Sequence, residues 1–336
     1  MERIAEHFPG LSLILLLSAA AFGLAQVGLV QHYGLGPLTL AILFGTLLGN
    51  ARPALGEACF RPGLHLAQRH CLRAGVALYG FNLSVQQIVQ VGTTGILIDL
   101  LVVVSTLALG YFVGRRLLGM DRATVLLASA GSAICGAAAV PATVPMLREE
   151  EHSVAAKSAV AVATVVLFGT LAMFLYPAIY AWIGPQHFDF GIYVGSTVHE
   201  VAQVVAIGGT LGESVQQSAV IAKMIRVLLL VPVLLTLGWL LAGKAGDGRQ
   251  QTPPIPWFAL AFIALAGINS LHLLPEPLVE QLRLLGILLL TAAMAALGID
   301  TTFSRMRQAG LRPLLLGGLL FLHLIFIGGL FNWLLA

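Results

Sequence analysis

The sequence predicts an all-α protein that crosses a membrane many times. Of its 336 residues, 58% are hydrophobic and only 10% are Asp, Glu, Lys or Arg, whereas soluble domains carry about 25% charged residues. A soluble chain of this length needs more charge to cover its surface, and a disordered chain lacks this apolar content. A net charge of +3 provides no basic face for nucleic acid. The predicted surroundings are a lipid bilayer, and nucleic acid is not a predicted partner.

The apolar runs are predicted to be helices, because backbone polar groups in lipid must pair within their own segment. About nine to eleven of these runs are expected to cross the bilayer. Two of them, 123–147 and 189–209, are interrupted by small residues, so each either crosses or turns back as a re-entrant hairpin. The predicted runs are 11–31, 37–50, 65–83, 93–114, 123–147, 154–182, 189–209, 215–242, 256–272, 284–300 and 313–335.

The first run resembles a secretory signal peptide. Its flank is a poor match, because Glu2 and Glu6 surround Arg3 where a signal peptide carries net positive charge. We therefore expect run 11–31 to be an additional N-terminal transmembrane helix.

Loop charges predict the orientation. Basic loops alternate with loops that lack Lys and Arg, and basic loops face the cytoplasm. This pattern predicts a cytoplasmic N-terminus. The basic loops are 51–61, 115–122, 243–255 and 301–312, and the loops without Lys or Arg are 32–36, 84–92 and 273–282.

Two internal echoes predict an inverted repeat. Residues 74–84 resemble 292–302, which aligns Asn82 with Asp300, and Ser153–Lys157 resembles Ser218–Lys223. Inverted repeats are the usual construction of secondary transporters. We predict one transmembrane domain over 1–336, with repeats at 37–182 and 189–336, and a coupling-ion contact at Asn82 and Asp300. Asp99, another lone carboxylate, is expected to be structural.

The strongest candidate site is His199-Glu200-Val-Ala-Gln203, inside an apolar run. Ionisable residues in a membrane usually mark a ligand site or proton relay. On a helix, His199 and Gln203 share one face and Glu200 turns away by about 100°. We expect His199 and Gln203 to contact substrate, and His199 and Glu200 to carry a coupling proton; an interfacial structural pair is the alternative.

A zinc-protease interpretation of the same residues is weaker. The His-Glu-x-x-His signature requires a second histidine, and Gln203 stands in its place. Amides are not usual zinc ligands. We therefore expect neither a metal or other cofactor nor an enzymatic activity.

The second candidate site is the small-residue run Gly131-Ser132-Ala-Ile-Cys135-Gly136. Small residues can serve helix packing alone, but prolines follow at 141 and 145, and such interruptions are typical of the broken helices that bind substrate. Free N–H groups at half-helix N-termini near Ser132–Gly136 and Thr197–His199 are expected to bind an anion. Cys135, like Cys59 and Cys71, is predicted to be a free thiol.

Lys223 and Arg226 lie three residues apart, and are the only two charges in the apolar body of run 215–242. They either snorkel to an interface or pair with a buried negative charge. Glu200 and a transported anion are the two partners that we consider.

The chain resembles the YeiH-type family of bacterial inner-membrane proteins, whose label is sulfate exporter. The resemblance rests on two blocks, Ser-Ala-Ile-Cys-Gly-Ala-Ala-Ala at 132–139 and Val-His-Glu-Val-Ala-Gln-Val-Val-Ala at 198–206. The Lys223-x-x-Arg226 and Leu-Gly-Ile-Asp300 contexts also fit. The family has Ser-Ala after Cys-Gly where this chain has Ala137-Ala138, so one hydroxyl is missing. The resemblance implies export of sulfate or a related anion from a bacterial inner membrane.

The predicted function is secondary active transport of a small anion such as sulfate, sulfite or an organosulfonate, coupled to protons or another cation. A passive anion channel and a membrane sensor or scaffold are the alternatives. Inverted-repeat carriers often dimerise, so a homodimer is a further expectation.

Overall fold

The structure is a computed structural model. It describes residues 2–27, 30, 36–56, 59–147, 151–184, 188–242, 257–304, 307 and 310–335. These residues form helices and no strand. Six helices are long and apolar enough to cross a membrane, which confirms the all-α polytopic fold class: Glu6–Ala25, Val91–Leu117, Ala156–Ile183, Glu213–Leu240, Glu276–Asp300 and Leu311–Leu335.

Fifteen α-helices are used below: α1 (Glu2–Ala25), α2 (Pro37–Ala51), α3 (Arg61–Leu66), α4 (Leu72–Tyr79), α5 (Val85–Phe112), α6 (Arg122–Ala133), α7 (Ala139–Thr143), α8 (Glu151–Ile183), α9 (Phe190–Thr197), α10 (Val201–Leu211), α11 (Glu213–Leu228), α12 (Leu230–Ala242), α13 (Trp257–Ser270), α14 (Glu276–Asp300) and α15 (Leu311–Leu335). A π turn at Ala67–Cys71 joins α3 to α4. Short 3₁₀ turns lie at Pro53–Gly56, Gly80–Asn82, Gly136–Ala138 and Val144–Met146, and a second π turn lies at Val113–Leu117.

Several helices are longer than their apolar runs. The predicted start of run 11–31 is wrong, because α1 spans Glu2–Ala25; residues 28, 29 and 31 of that run lie outside the described residues. Likewise α14 begins at Glu276 instead of 284. Hydropathy marks only the part of a helix that suits lipid, and a helix can continue into polar surroundings. The loop predicted at 243–255 lies outside the described residues, as do parts of those at 32–36, 51–61 and 301–312.

The two echo segments around α4 and α14 pack antiparallel. Gln68 Nε2 donates to Asp300 Oδ2 at 2.7 Å, and Arg283 Nε donates to the Phe81 carbonyl at 2.8 Å. The start of one segment therefore meets the end of the other. Opposite directions are what an inverted repeat requires.

Matching contacts tie the short helix before each echo segment to the C-terminal end of the other echo segment. Asn50, at the end of α2, donates to the Thr301 carbonyl at 2.9 Å, and Asn269, at the end of α13, donates to the Leu83 carbonyl at 3.0 Å. Helices α2 and α14 can approach this closely because Gly45 has no side chain: a Cβ there would overlap the Ala295 carbonyl oxygen. The repeat bounds 37–182 and 189–336 stay a prediction.

The second interrupted run, 189–209, is a re-entrant hairpin. A Cβ at Gly191, in the first turn of α9, would meet the Val215 carbonyl oxygen at 2.5 Å. Near the other end of the run, Gln216 Nε2 donates to the Val205 carbonyl at 2.9 Å. Both outer ends therefore lie beside the start of α11, so this run turns back and does not cross.

The first interrupted run, 123–147, turns back as well. Asp121 caps α6 through the Thr124 N–H and pairs with Lys157 near the start of α8 at 3.1 Å. Val125, Val144 and Leu147 pack in one apolar cluster, so the beginning and end of the run lie on one side of the molecule. The structure thus decides between crossing and re-entry for both runs.

Candidate functional site

The two interrupted runs meet in the interior of the protein. In the first, α6 ends at Ala133 and helical structure resumes at Gly136; in the second, α9 ends at Thr197 and α10 begins at Val201. Glu200 Oε1 accepts a hydrogen bond from the Ala137 N–H at 3.1 Å. Residues 63 positions apart are thus joined at the two breaks.

Gly136 makes this approach possible for two reasons. Its φ of +67° lies in the left-handed region that favours glycine. A Cβ at Gly136 would also overlap the Glu200 side chain. Gly131, the other glycine of the run, faces Val165 and Val140 and serves helix packing.

Lys223 and Arg226 join the C-terminal ends of both half-helices. Lys223 Nζ donates to the Ile134 and Val198 carbonyls at 2.8 and 2.6 Å. Arg226 donates to carbonyls on both sides, those of Ser132, Ala133, Ser196 and Val198. Both side chains are fully buried. Lys223 and Arg226 therefore pair with carbonyl oxygens at the negative ends of the two helix dipoles, which have no partner within their own helices. The partners considered from the sequence were Glu200 and a transported anion.

Ser132 and Thr197 are not at half-helix N-termini, so the prediction is wrong for these two residues; helical structure resumes at Gly136 and Val201. Ser132 and Thr197 both lie in the last turn of a half-helix that ends at the break. Thr197 Oγ1 accepts a hydrogen bond from the Tyr176 hydroxyl at 2.8 Å and donates to the Tyr193 carbonyl. Small residues mark an interruption, but they do not show on which side of it each residue falls. Cys135 lies in the first break and is buried.

His199 and Glu200 are in an extended link, and only Gln203 is helical, so the predicted helix over His199–Gln203 is wrong at its first two residues. Glu200 is the N-cap of α10, and its N–H donates to Gln203 Oε1 at 3.1 Å. Gly169 leaves room for this amide because it has no side chain: a Cβ there would overlap the Gln203 amide. The link turns His199 toward Phe321, with ring centroids 6.1 Å apart.

These three side chains carry buried polar atoms without partners. His199, Glu200 and Gln203 are 1%, 2% and 0% exposed. In the described part of the chain, both His199 ring nitrogens, Glu200 Oε2 and Gln203 Nε2 lack a hydrogen-bond partner. Buried polar groups in proteins are nearly always paired. The unpaired set at the N-terminus of α10 therefore indicates a place for a ligand.

Asn82 and Asp300 lie elsewhere. Asp300 accepts from Gln68, and Asn82 Nδ2 donates to the Tyr79 carbonyl at 3.3 Å. These bonds place them at the ends of the echo helices rather than at the breaks. A coupling role for them stays a prediction.

Asp99, which the sequence predicts to be structural, is a further buried carboxylate. It lies in the middle of α5, is 0% exposed, and neither carboxylate oxygen has a partner among the described residues. Its helix, α5, packs against α11, which carries Lys223 and Arg226. A single carboxylate within an apolar run was the available signal.

A cavity of about 400 Å³ lies at the outer end of the second hairpin, lined by residues that include Tyr180, Phe188, Asp189 and Glu213. Tyr176, Tyr180 and Phe190 form an aromatic cluster next to it. Tyr176 connects this cluster to Thr197 at the break. The described residues contain no group of three or more His, Cys, Asp or Glu that could hold a metal, so they add no support for the zinc-protease interpretation.

Comparison with known proteins identifies the family. The family described as conserved hypothetical protein 698 matches residues 9–317. A UPF0324 membrane protein of Bordetella pertussis is 48% identical over 329 residues, which cover 96% of this chain and 93% of that protein. The UPF0324 inner membrane protein YeiH of Escherichia coli K12 is 46% identical over 340 residues, covering 99% and 95%. No solved structure matches.

The chain is a polytopic membrane protein and belongs to the UPF0324 family, conserved hypothetical protein 698. The resemblance to YeiH-type proteins, drawn from the blocks at 132–139 and 198–206, is confirmed.

Proposed function

We propose that this protein is a proton-coupled secondary transporter of a small oxyanion or sulfonate in a bacterial inner membrane, with its N-terminus in the cytoplasm. The observation that carries the proposal is the unpaired set of His199, Glu200 Oε2 and Gln203 Nε2 where two re-entrant hairpins meet. Broken helices that meet at mid-membrane are the usual binding sites of secondary transporters.

An anion fits the donors of this site. The N-terminus of α10 presents the positive end of an 11-residue helix. The Gln203 amide and the His199 ring offer N–H donors beside it. Oxyanions and sulfonates accept several hydrogen bonds from such donors, and the sulfate label of YeiH-type proteins belongs to the same chemical class.

Glu200 supplies a reason for proton coupling. Its carboxylate lies at the same helix N-terminus that a substrate anion would occupy, and two negative charges in a buried site repel strongly. Protonation of Glu200 removes this repulsion, so an anion and a proton bind together. A passive channel that uses the same residues lacks this dependence.

Transport of radiolabelled sulfate into proteoliposomes tests the proposal. An imposed pH gradient is expected to drive uptake. His199→Ala should reduce it by about tenfold or more, because one hydrogen bond to a charged ligand is worth about 1.5–3 kcal/mol. Lys223→Ala should abolish uptake, and Glu200→Gln should weaken the dependence of uptake on the gradient. Lys157→Ala, on the protein surface, is the control.

Uptake that ignores the gradient in the wild-type protein would favour the channel. Near-normal coupled uptake by both His199→Ala and Lys223→Ala would refute the site assignment.

A second measurement tests whether the site opens to water. The three cysteines are free, so Cys59→Ser/Cys71→Ser leaves Cys135 in the first break as the only thiol. A transporter must expose Cys135 to a water-soluble maleimide at some stage of its cycle, and sulfate should slow the labelling. Complete protection of Cys135 with and without sulfate would support a sensor or scaffold.

A further inference from the structure

The buried charges of the described residues sum to zero. Four charged side chains are buried there, the carboxylates of Asp99 and Glu200 and the cations of Lys223 and Arg226. An anion that enters this core leaves an uncompensated negative charge, which is costly in a low-dielectric interior. Each added negative charge therefore requires a proton or another cation, and the two carboxylates are the places to put protons.

Asp99 lies close enough to the site to take part. Helix α5 packs against α11 and α9, and a kink at Gly92 separates its first turns from the part that carries Asp99. A Cβ at Gly328 of α15 would lie within 4 Å of both Thr197, in the last turn of α9, and Val102, which is about one turn beyond Asp99 on α5.

The neighbouring helices leave the Asp99 carboxylate without a donor. Lys223 and Arg226 on α11 direct their hydrogen bonds to the helix-end carbonyls. Tyr193 on α9 donates to the Ile325 carbonyl, and His323 on α15 pairs with Ser105 of α5 at 3.0 Å. The bodies of α6 and α13 carry no titratable side chain beyond Arg122 at the start of α6.

The ion that suits this carboxylate is a proton. Ca²⁺ and Mg²⁺ take six or more oxygen ligands. Among the described residues, no group of three or more His, Cys, Asp or Glu could hold a metal ion. An unpaired buried carboxylate is unfavourable when charged, and a single proton relieves this without further ligands.

We infer that Asp99 is a second proton-binding site of the transporter, which is loaded together with Glu200 when the bound substrate carries two negative charges. The inference rests on the proposed function and makes it more specific. It predicts two protons per divalent oxyanion, one on each carboxylate, so that the core stays neutral.

The first experiment needs no substrate. Infrared difference spectra of the purified protein in liposomes, between acidic and alkaline buffer, should contain a buried carboxylic acid band that Asp99→Asn removes and Asp99→Glu restores at a shifted position. Glu276→Gln, an exposed carboxylate paired with Arg283, should leave this band unchanged. Identical spectra for the wild-type protein and Asp99→Asn would overturn the inference whatever the transport result.

The second experiment measures proton uptake from weakly buffered solution when sulfate is added. We expect two protons per bound sulfate for the wild-type protein and one for both Asp99→Asn and Glu200→Gln. Two protons with Asp99→Asn would overturn the role of Asp99 while leaving the proposed function intact. If the wild-type protein shows no sulfate binding and no proton uptake, both sulfate transport and the inference are contradicted.

Discussion

The two interrupted helices solve the same structural problem with different residues. The first break, around Cys135, presents backbone groups and the small side chains of Gly136–Ala138. The second break, Val198–Glu200, presents the titratable side chains of His199 and Glu200. Both breaks direct their C-terminal carbonyls toward α11.

Because their residues differ, the two breaks contribute different groups to the candidate site. Small residues at the first break let the Glu200 side chain approach its backbone, since a Cβ at Gly136 would block it. The second break supplies the side chains to which we assign binding and proton transfer, those of His199 and Glu200. The cations of α11 fasten both breaks to one helix, so a movement of α11 would act on the two hairpins at once.

Loss of the Arg226 hydrogen bonds should have the largest effect, because they join the ends of both half-helices to α11. Arg226→Met leaves carbonyls of both half-helices unpaired and removes the charge opposite Asp99. We expect a loss of about 3–5 kcal/mol in the free energy of unfolding, as for other broken buried ion networks. Titration of the detergent-solubilised protein with a denaturing detergent measures it.

Lys157→Met is the matched control for that prediction. Lys157 pairs with Asp121 near the surface, so its loss should change stability by less than about 1 kcal/mol. Equal losses in the two variants would show that the carbonyls of the breaks find other partners.

The second prediction separates the two breaks. Gly136→Ala adds a Cβ against Glu200 at a left-handed position, whereas Gly184→Ala adds one at a φ of +76° with no atom within 4 Å. Both variants incur about 1–2 kcal/mol of backbone strain. Gly136→Ala should cost about 1–3 kcal/mol more through overpacking, and it alone should lose transport.

Unfolding free energies and sulfate uptake of both variants provide the measurement. Identical results for the two glycine variants would mean that Gly136 is needed only for its backbone conformation, and that the approach of Glu200 is not essential.

The smallest effect is expected at the outer end of the first hairpin, away from both breaks. Burial tends to raise the pKa of Asp121, but hydrogen bonds from Thr124 and the Lys157 ammonium outweigh it and hold the pKa below its ordinary value. A lowered pKa in the folded state stabilises the protein above the ordinary Asp pKa of about 3.9. This contribution is lost as the pH falls through the lowered value.

Melting temperatures of the wild-type protein and Asp121→Asn, recorded from neutral to acidic pH, check this expectation. The difference between them should shrink as the pH falls. A constant difference over that range would show that the charge of Asp121 contributes nothing to the stability of the hairpin.

Individual residues show how far sequence reasoning reaches. The interruptions within 123–147 and 189–209 were predictable, because Gly, Pro and polar residues inside apolar runs break helices locally. His199 and Glu200 could be singled out from the sequence because ionisable groups in lipid are costly, and the structure places both in the second break. The partners of Lys223 and Arg226 were not, since they are backbone carbonyls that every residue possesses.

For Asp99, the sequence predicts burial but does not predict which residues lie near it. Its burial follows from the apolar run around it, but its position relative to Arg226 depends on how α5 packs against α11. Nothing within α5 records that neighbour.

The sequence by itself determined the membrane environment, the helical segments, the two places where helices break and the antiparallel echo, because each depends on local composition or on order along the chain. The tertiary structure alone decided that both broken runs turn back, that α11 holds their ends together, and that Asp99 joins the buried charges. These features arise from contacts between residues far apart in the chain, where packing and charge compensation are set by three-dimensional neighbours.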